Sequence, residues 1–338
     1  MYPLDQGMWG PIVRITNLRA ELAQRVNLDV LSGYRGARRV ALARYAVSGR
    51  LRGLDGIYVE SSTFLPAEAD LAFLALARAL GVPVLTYIRD AYQLFPEYYS
   101  ATTLRRRLAA KVFRPAIRAL GSVSTQLAFP SRGLSRVVTG REDGGLVIPP
   151  GSPAPVRVPK APNARRLLFV GNGTLEAQGA RRLMTAVAMA RAAGTDVELT
   201  IVSRPGEEPP PPRERHVDIV HAGGHGITAL LPDVVATVIP RPRSEYNDLA
   251  VPIKLFDYLA WGRPLIVTDC VEQAAIVSSA GAGLVVSQAE SAIAGGIMRM
   301  VEADQVQHRR WSEHATAAAL AHSWSSRAEV IISTLGVS

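Results

Sequence analysis

Pro252-Ile-Lys-Leu-Phe-Asp-Tyr-Leu-Ala-Trp-Gly-Arg-Pro-Leu-Ile-Val-Thr-Asp269 reads as a helix, a glycine stop and a buried strand in direct succession. Leu255 and Leu259, flanked by Phe256 and Ala260, set an apolar stripe at helical spacing, Gly262 supplies the C-terminal stop, and Pro264 opens a short apolar strand. Lys254 and Asp257 fall on one face of that helix, where a ligand could meet both.

Outward from this stretch, strands and helices alternate in both directions. Upstream come apolar runs at Leu167 to Val170, Val197 to Val202, Val217 to Val220 and Val234 to Ile239, with a helix from Gly179 to Ala193; downstream comes Leu284 to Val286. The first half repeats the pattern: helix over Ile12 to Leu22, strands at Val26 to Ser32, Gly56 to Glu60, Val82 to Ile88, Ser122 to Phe129 and Leu146 to Pro149, and a helix over Asp70 to Leu80. Such alternation predicts an α/β fold with doubly wound parallel sheets covered on both faces. Pro149-Pro-Gly-Ser-Pro-Ala-Pro155 separates the halves as a linker. We therefore expect domains at 1–150 and 151–338, with terminal helices anchored by Trp311 and Trp324 packing back on the first. A chain of 338 residues can bury two such cores.

Charge divides unevenly. Residues 1–150 hold 20 Arg or Lys against 11 Asp or Glu, a net of +9, while 151–338 hold 18 against 18. Part of the excess sits in Leu104-Arg-Arg-Arg-Leu-Ala-Ala-Lys-Val-Phe-Arg-Pro-Ala-Ile-Arg118, a basic amphipathic segment. It reads either as a surface helix with a solvated face or as a dock for an anionic membrane. Nucleic acid is the weaker partner, since no recognition motif or aromatic stacking pattern accompanies the charge. The single cysteine, Cys270, excludes an intramolecular disulfide framework and a zinc site built on thiolates. No run reaches the roughly 18 apolar residues that span a bilayer, and no signal peptide is visible. We expect a cytoplasmic protein, peripheral on the inner face of the membrane if the basic segment docks there.

In doubly wound sheets ligands sit beyond the carboxyl ends of the strands, which singles out four loops. Gly7, Gly10 and Arg14 form the first; the glycines let backbone approach a ligand or merely shape a turn, and Arg14 suits an anion. Arg89, Asp90 and Tyr92 follow a strand end, where Asp90 is either a hydrogen-bond acceptor for a sugar hydroxyl, a base, or the partner of a nearby arginine. Gly171, Asn172 and Gly173 make a turn that can present N–H groups to phosphate, without a full dinucleotide fingerprint. The fourth, Arg241-Pro-Arg-Ser-Glu-Tyr-Asn-Asp248, leads into Lys254 and Asp257. No zinc spacing, Walker loop or Ser-His-Asp order is present.

The segment Pro-x-Lys-x-Phe-Asp-Tyr-x-Ala-x-Gly-x-Pro-Leu-Ile-Val resembles the donor site of GT-B glycosyltransferases, especially the retaining family 4 (glycosyl transferases group 1). The resemblance implies two Rossmann-like domains facing a cleft, the first binding the acceptor and the second a nucleotide-sugar donor such as a UDP- or GDP-sugar. It implies Asp257 on the ribose, Lys254 and nearby arginines on the leaving diphosphate, and Gly171, Asn172, Gly173, Arg243, Glu245 and Asn247 on the donor. Gly7, Gly10, Arg14, Arg89 and Tyr92 fall to the acceptor, a glycan, lipid-linked or small-molecule one, with Asp90 at the chemistry. Neither metal nor other cofactor is expected. The sequence departs from the family in three places: Arg89 stands where a histidine is usual, Leu249 where the first of two acidic residues is expected, and Asn172 and Gln178 near positions that commonly hold Arg or Lys. GT-B first domains also open with a buried strand, and Met1 to Gly10 looks like the loop that follows one, so a start upstream of Met1 is expected. Two other readings stay open: a GT-B-shaped subunit that binds without catalysing, and a nucleotide-sugar epimerase.

Overall fold

The computed structural model describes residues 2–3, 9–61, 66–100, 102–159, 164–210 and 216–337, of which 2–3 and 9–11 are described by backbone only. The chain divides into two compact units, residues 1–150 with 324–338, and residues 151–323.

The second unit is built on six parallel strands. Its elements are β7 (Arg166–Val170), α6 (Ala180–Ala192), β8 (Glu198–Val202), β9 (Val217–Val220), α7 (Gly224–Leu230), β10 (Val234–Ile239), α8 (Glu245–Leu249), α9 (Ile253–Ala260), β11 (Leu265–Thr268), α10 (Val271–Ala280), β12 (Gly283–Val286), α11 (Glu290–Glu302) and α12 (Gln305–Ala321). The sheet order is β12-β11-β10-β7-β8-β9. Every residue of β10 and β11 is buried, which explains why both read as unbroken apolar runs rather than alternating ones. Leu183 and Val187 of α6 join Ile293 and Ile297 of α11 over Leu167, Phe169, Leu199 and Ile201. Leu255, Phe256 and Leu259 of α9 pack with Ile239, Val267, Ala315 and Ala319. The helix stops where the sequence says it should: Gly262 takes φ +60° and donates to Leu259 O at 3.0 Å.

The first unit holds β1 (Tyr2–Pro3), α1 (Trp9–Ala23), β2 (Ser32–Gly33), α2 (Arg35–Val47), β3 (Ile57–Glu60), α3 (Glu68–Ala79), β4 (Val84–Tyr87), α4 (Leu104–Val123), β5 (Gln126–Phe129), α5 (Arg132–Thr139), β6 (Leu146–Val147) and α13 (Trp324–Leu335). Strands β3-β4-β5-β6 form one parallel sheet, and β1 pairs with β2 in a separate two-stranded one. Trp324, Ala328, Ile331 and Leu335 of α13 pack with Leu18 and Leu22 of α1 and Leu85 and Tyr87 of β4. Buried Arg38 clamps α2 to α3 by donating to both carboxylate oxygens of buried Asp70, at 2.8 and 2.7 Å.

Three expectations change. Residues 26–31 are not a strand: they line a cavity of about 620 Å³ with Leu18, Leu22, Ile57, Phe73 and Ile331, and pairing is confined to Ser32–Gly33. Apolar alternation had the right residues facing inward, but a strand also needs a neighbouring ladder. The strand expected from Ser122 begins only at Gln126, because α4 continues through Val123 and the Ser124 hydroxyl donates to Leu120 O at 2.7 Å. The helix expected from Ile12 begins earlier: Trp9 to Pro11, placed in the preceding loop, already belong to α1.

Truncating Arg38 should leave the Asp70 carboxylate buried without its ion-pair partner. Arg38→Ala is expected to lower unfolding free energy by about 3–5 kcal/mol in urea melts, with Arg38→Ala/Asp70→Ala recovering part of that loss.

Candidate functional site

The second unit's chain order creates one crevice by topology. From β7 the chain proceeds outward to β8 and β9, then returns to β7's other side as β10 and continues to β11 and β12. Connections leave β7 and β10 in opposite directions, so their carboxyl ends open onto a gap. Three segments reach it: the turn 171–175 after β7, the loop 240–244 after β10, and the first turn of α9.

Backbone contacts hold these segments close. Gly179, at φ +77°, turns the chain into α6 against Pro240, whose carbonyl oxygen would lie only 2.0 Å from any added Cβ. Gly171 donates to Val202 O at 2.9 Å and takes φ +152°. A Cβ on Gly171 would meet the Lys254 ammonium at 2.6 Å. Asn172 Oδ1 accepts from Thr174 N at 2.9 Å, Thr174 Oγ1 at 2.7 Å and Leu175 N at 3.3 Å, so this side chain shapes the turn. Gly173 packs under Pro209 and donates to Glu207 O at 2.7 Å.

Helix α9 is aimed by Tyr258, whose buried hydroxyl accepts from Val170 N at 2.8 Å at the end of β7. One turn earlier on the same face stands Lys254. Its ammonium donates to Gln178 Oε1 at 2.8 Å and lies 4.4 Å from the centre of the Phe169 ring. Among the described residues it forms no ion pair. Burial, with repulsion from Arg241 added, pushes its pKa down to about 7. Burial pushes the Asp257 carboxyl up to about 6, and among the described residues that carboxylate has no hydrogen-bond partner. A cation and an acceptor, both desolvated and neither neutralised by an opposite charge, therefore sit three residues apart.

The loop after β10 is internally braced. Buried Arg241 donates to Asn247 Oδ1 and, at 3.3 Å, to Ala250 O, while its Nε has no partner among the described residues. Asn247, fully buried, donates through Nδ2 to Pro242 O at 2.8 Å and Ala177 O at 3.4 Å, tying this loop to the turn before α6. Exposed Arg243 pairs with Asp248 at 2.6 Å, and Glu245 is exposed in the first turn of α8.

The first-unit candidates are placed differently. Gly7 lies outside the described residues, and Gly10 belongs to the first turn of α1. Arg14 is 2% exposed: it donates to Glu60 Oε1 at 2.8 Å, to Tyr58 OH at 3.1 Å and to Pro149 O at 3.4 Å, and stacks 3.6 Å from the Tyr87 ring centre. Arg89 Nε donates to Asp90 Oδ2 at 3.0 Å just beyond β4, and the Tyr92 ring lies 6.2 Å from that of Tyr98. The structure thus gathers Gly171, Asn172, Gly173, Asn247, Lys254 and Asp257 around one crevice in the second unit, and Arg89, Asp90 and Tyr92 beyond a strand end in the first.

Gln178 and Gly179 complete the crevice and were not singled out as site residues from sequence. Gly179 carried a legible signal, a glycine at the start of a helix after a strand and turn. Gln178 was legible only as a residue near a position that the resemblance gives to Arg or Lys; its contact with Lys254, 76 positions away, was not.

Comparison with known proteins agrees with this geometry. Residues 164–303, from β7 through α11, match the family model described as Glycosyl transferases group 1. HepE from Anabaena, solved in complex with UDP, is similar at a TM-score of 0.66 and 13% identity over 99% of this chain and 98% of that one. A second HepE structure, with UDP and glucose, gives 0.64 and 14% over the same shares. An alpha,alpha-trehalose 6-phosphate synthase from Burkholderia multivorans gives 0.61 and 12%, over 97% of this chain and 81% of that one. No curated protein matches the chain by sequence. At such identities the solved structures establish a shared fold, the two-domain α/β architecture of GT-B proteins.

A methyl group at position 179 has nowhere to go. Gly179→Ala should force Pro240 and α6 apart, destabilising the protein by more than the roughly 1 kcal/mol of an unfavourable φ alone, as read from thermal melts of the variant.

Proposed function

We propose that the second unit binds a nucleotide-sugar donor, UDP- or GDP-linked, in the crevice between β7 and β10, and that the protein transfers its sugar to an acceptor taken by the first unit. The observation that carries this reading is Lys254: a desolvated ammonium, held by a neutral amide and no carboxylate, at the switch point of a doubly wound sheet. An arriving diphosphate would supply the missing negative charge. In the transfer the bond from the anomeric carbon to the diphosphate oxygen breaks, charge accumulates on that oxygen, and the acceptor's hydroxyl oxygen bonds to the same carbon as its proton passes to the departing phosphate. Lys254, with Arg241 beside it, stabilises the departing group, so no metal ion is required. Asp257 accepts from the ribose hydroxyls.

Retention of anomeric configuration, a glycan or lipid-linked acceptor, and an acceptor side formed by Gly10, Arg89 and Tyr92 with Asp90 orienting hydroxyls complete the reading; Arg14, enclosed by Glu60, Tyr58 and Tyr87, is not part of it. It places the protein in the cytoplasm, peripheral to the inner face of the membrane. No helix among the described residues is long and apolar enough to cross one.

Thermal-shift measurements with UDP, GDP, ADP, CMP and their sugars test donor binding. At a hundredfold excess over Kd the true donor class should stabilise the fold by about 2.7 kcal/mol, and Lys254→Met should abolish the effect. Absence of a shift with every nucleotide would reject the reading. Binding without product formation would make the protein a non-catalytic subunit.

The two titrating groups set a pH dependence. Donor binding requires Lys254 protonated and Asp257 ionised, so affinity should fall above pH 7 as the free ammonium loses its proton, and fall below pH 6 as the free carboxyl gains one. Isothermal titration should therefore find an optimum between these values. Asp257→Asn removes the acid limb and leaves the alkaline one in place. At pH 8, titration in buffers of different ionisation enthalpy should register uptake of about one proton per donor bound.

A further inference from the structure

Helix α4 carries two apolar stripes, and the fold uses one. Phe113, Ile117 and Leu120 are buried and share a face, as spacings of four and three residues require. At about 100° per residue, Leu104 and Leu108 fall on the opposite face. There they are 82% and 58% exposed, and residues 102–108 are exposed at every position. The first turns of the helix thus project beyond the body of the unit with two leucines turned to solvent. Nothing in the unit's own packing calls for them.

Beside those leucines runs a row of cations. Arg107, Lys111, Arg114 and Arg118 recur at spacings of four, three and four, which places them along one flank of the solvent face. All four are exposed, as are Arg105 and Arg106. Arg105, Lys111, Arg114 and Arg118 enter no ion pair among the described residues, and Arg114 donates only to Val137 O at 3.1 Å. The chain from Tyr98 to Arg141 contains no Asp or Glu. The projecting end is fixed in place: the Thr103 side chain accepts from Arg106 N at 3.3 Å, and Arg106 donates to Ser100 O at 3.0 Å with its guanidinium 5.1 Å from the Tyr99 ring centre.

We infer that this face of α4 is a docking surface for an anionic lipid bilayer, with Leu104 and Leu108 entering the headgroup–acyl boundary and the row Arg107, Lys111, Arg114 and Arg118 lying over the phosphates. Charge complementarity selects an anionic surface. The leucines select hydrocarbon over a polyanion, because a nucleic acid backbone offers exposed aliphatic side chains no place to be buried. The inference names the element through which the protein would hold the membrane, and it stands whether or not the crevice in the second unit binds a donor.

Co-sedimentation with vesicles tests it. The whole chain should bind vesicles of phosphatidylglycerol with phosphatidylcholine, release them at high salt, and bind phosphatidylcholine alone at least tenfold more weakly. Lys111→Ser/Arg118→Ser should weaken binding about 30-fold, at the strength expected of two interfacial cations. Leu104→Ser/Leu108→Ser should weaken it while leaving the salt dependence in place. All four substitutions lie on a solvent-facing surface, so circular dichroism and the thermal midpoint should not change. Vesicle binding that is absent, indifferent to lipid charge or unaffected by both double variants would overturn the proposal. So would binding to single-stranded RNA in place of vesicles. Because the assay contains no nucleotide, its failure is separate from failure of the donor titration.

Discussion

The second unit depends on one topological constraint: β7 has a parallel neighbour on each side, and the chain reaches them in opposite directions. That arrangement buries the central strands on both faces and leaves a gap only at their carboxyl ends. Gly179 lets the two loops at that gap touch, Tyr258 fixes α9 to the last residue of β7, and Lys254 arrives over the gap one turn from that anchor. The site is therefore a consequence of strand order, with side chains added at positions that the backbone had already brought together.

Electrostatically the crevice is unfinished. Two buried arginines of the first unit have carboxylate partners: Arg38 with Asp70, Arg14 with Glu60. Lys254 and Asp257 are not, and their pKa values move toward each other, to about 7 and about 6, for lack of solvent and partners. A folded chain tolerates such groups where a ligand completes them. Arg14 shows the contrast. It is held by a carboxylate, a phenol, a carbonyl and an aromatic face, a set of contacts that stabilises the first unit around the end of β3.

The six strands of the second unit were legible in the sequence, with α6 and α9, because buried parallel strands are long apolar runs and the helix stop at Gly262 is written in the chain; α7, α8 and α10 were not read. The first unit was less so. Residues 26–31 alternate as a strand should, yet pairing is decided by what lies beside them. Within the site, Lys254 and Asp257 could be found from helix spacing and from family resemblance. What the sequence could not show was electrostatic: that Lys254 meets Gln178 rather than a carboxylate, that Asn172 and Asn247 brace loops, or that Arg14 is enclosed. The Lys254–Gln178 contact, the Asn247–Ala177 contact and the enclosure of Arg14 join residues far apart in the chain, whereas the Asn172 contacts are local and depend on the conformation of the turn.

A crystal structure of the protein with UDP or GDP, whichever stabilises it, would test the central claim most directly. The account predicts a diphosphate between the turn after β7 and the loop after β10, with Lys254 Nζ turned from Gln178 onto a phosphate oxygen and the ribose hydroxyls on Asp257. A nucleotide bound elsewhere, or bound in the crevice with the Lys254–Gln178 contact intact and Asp257 untouched, would contradict it.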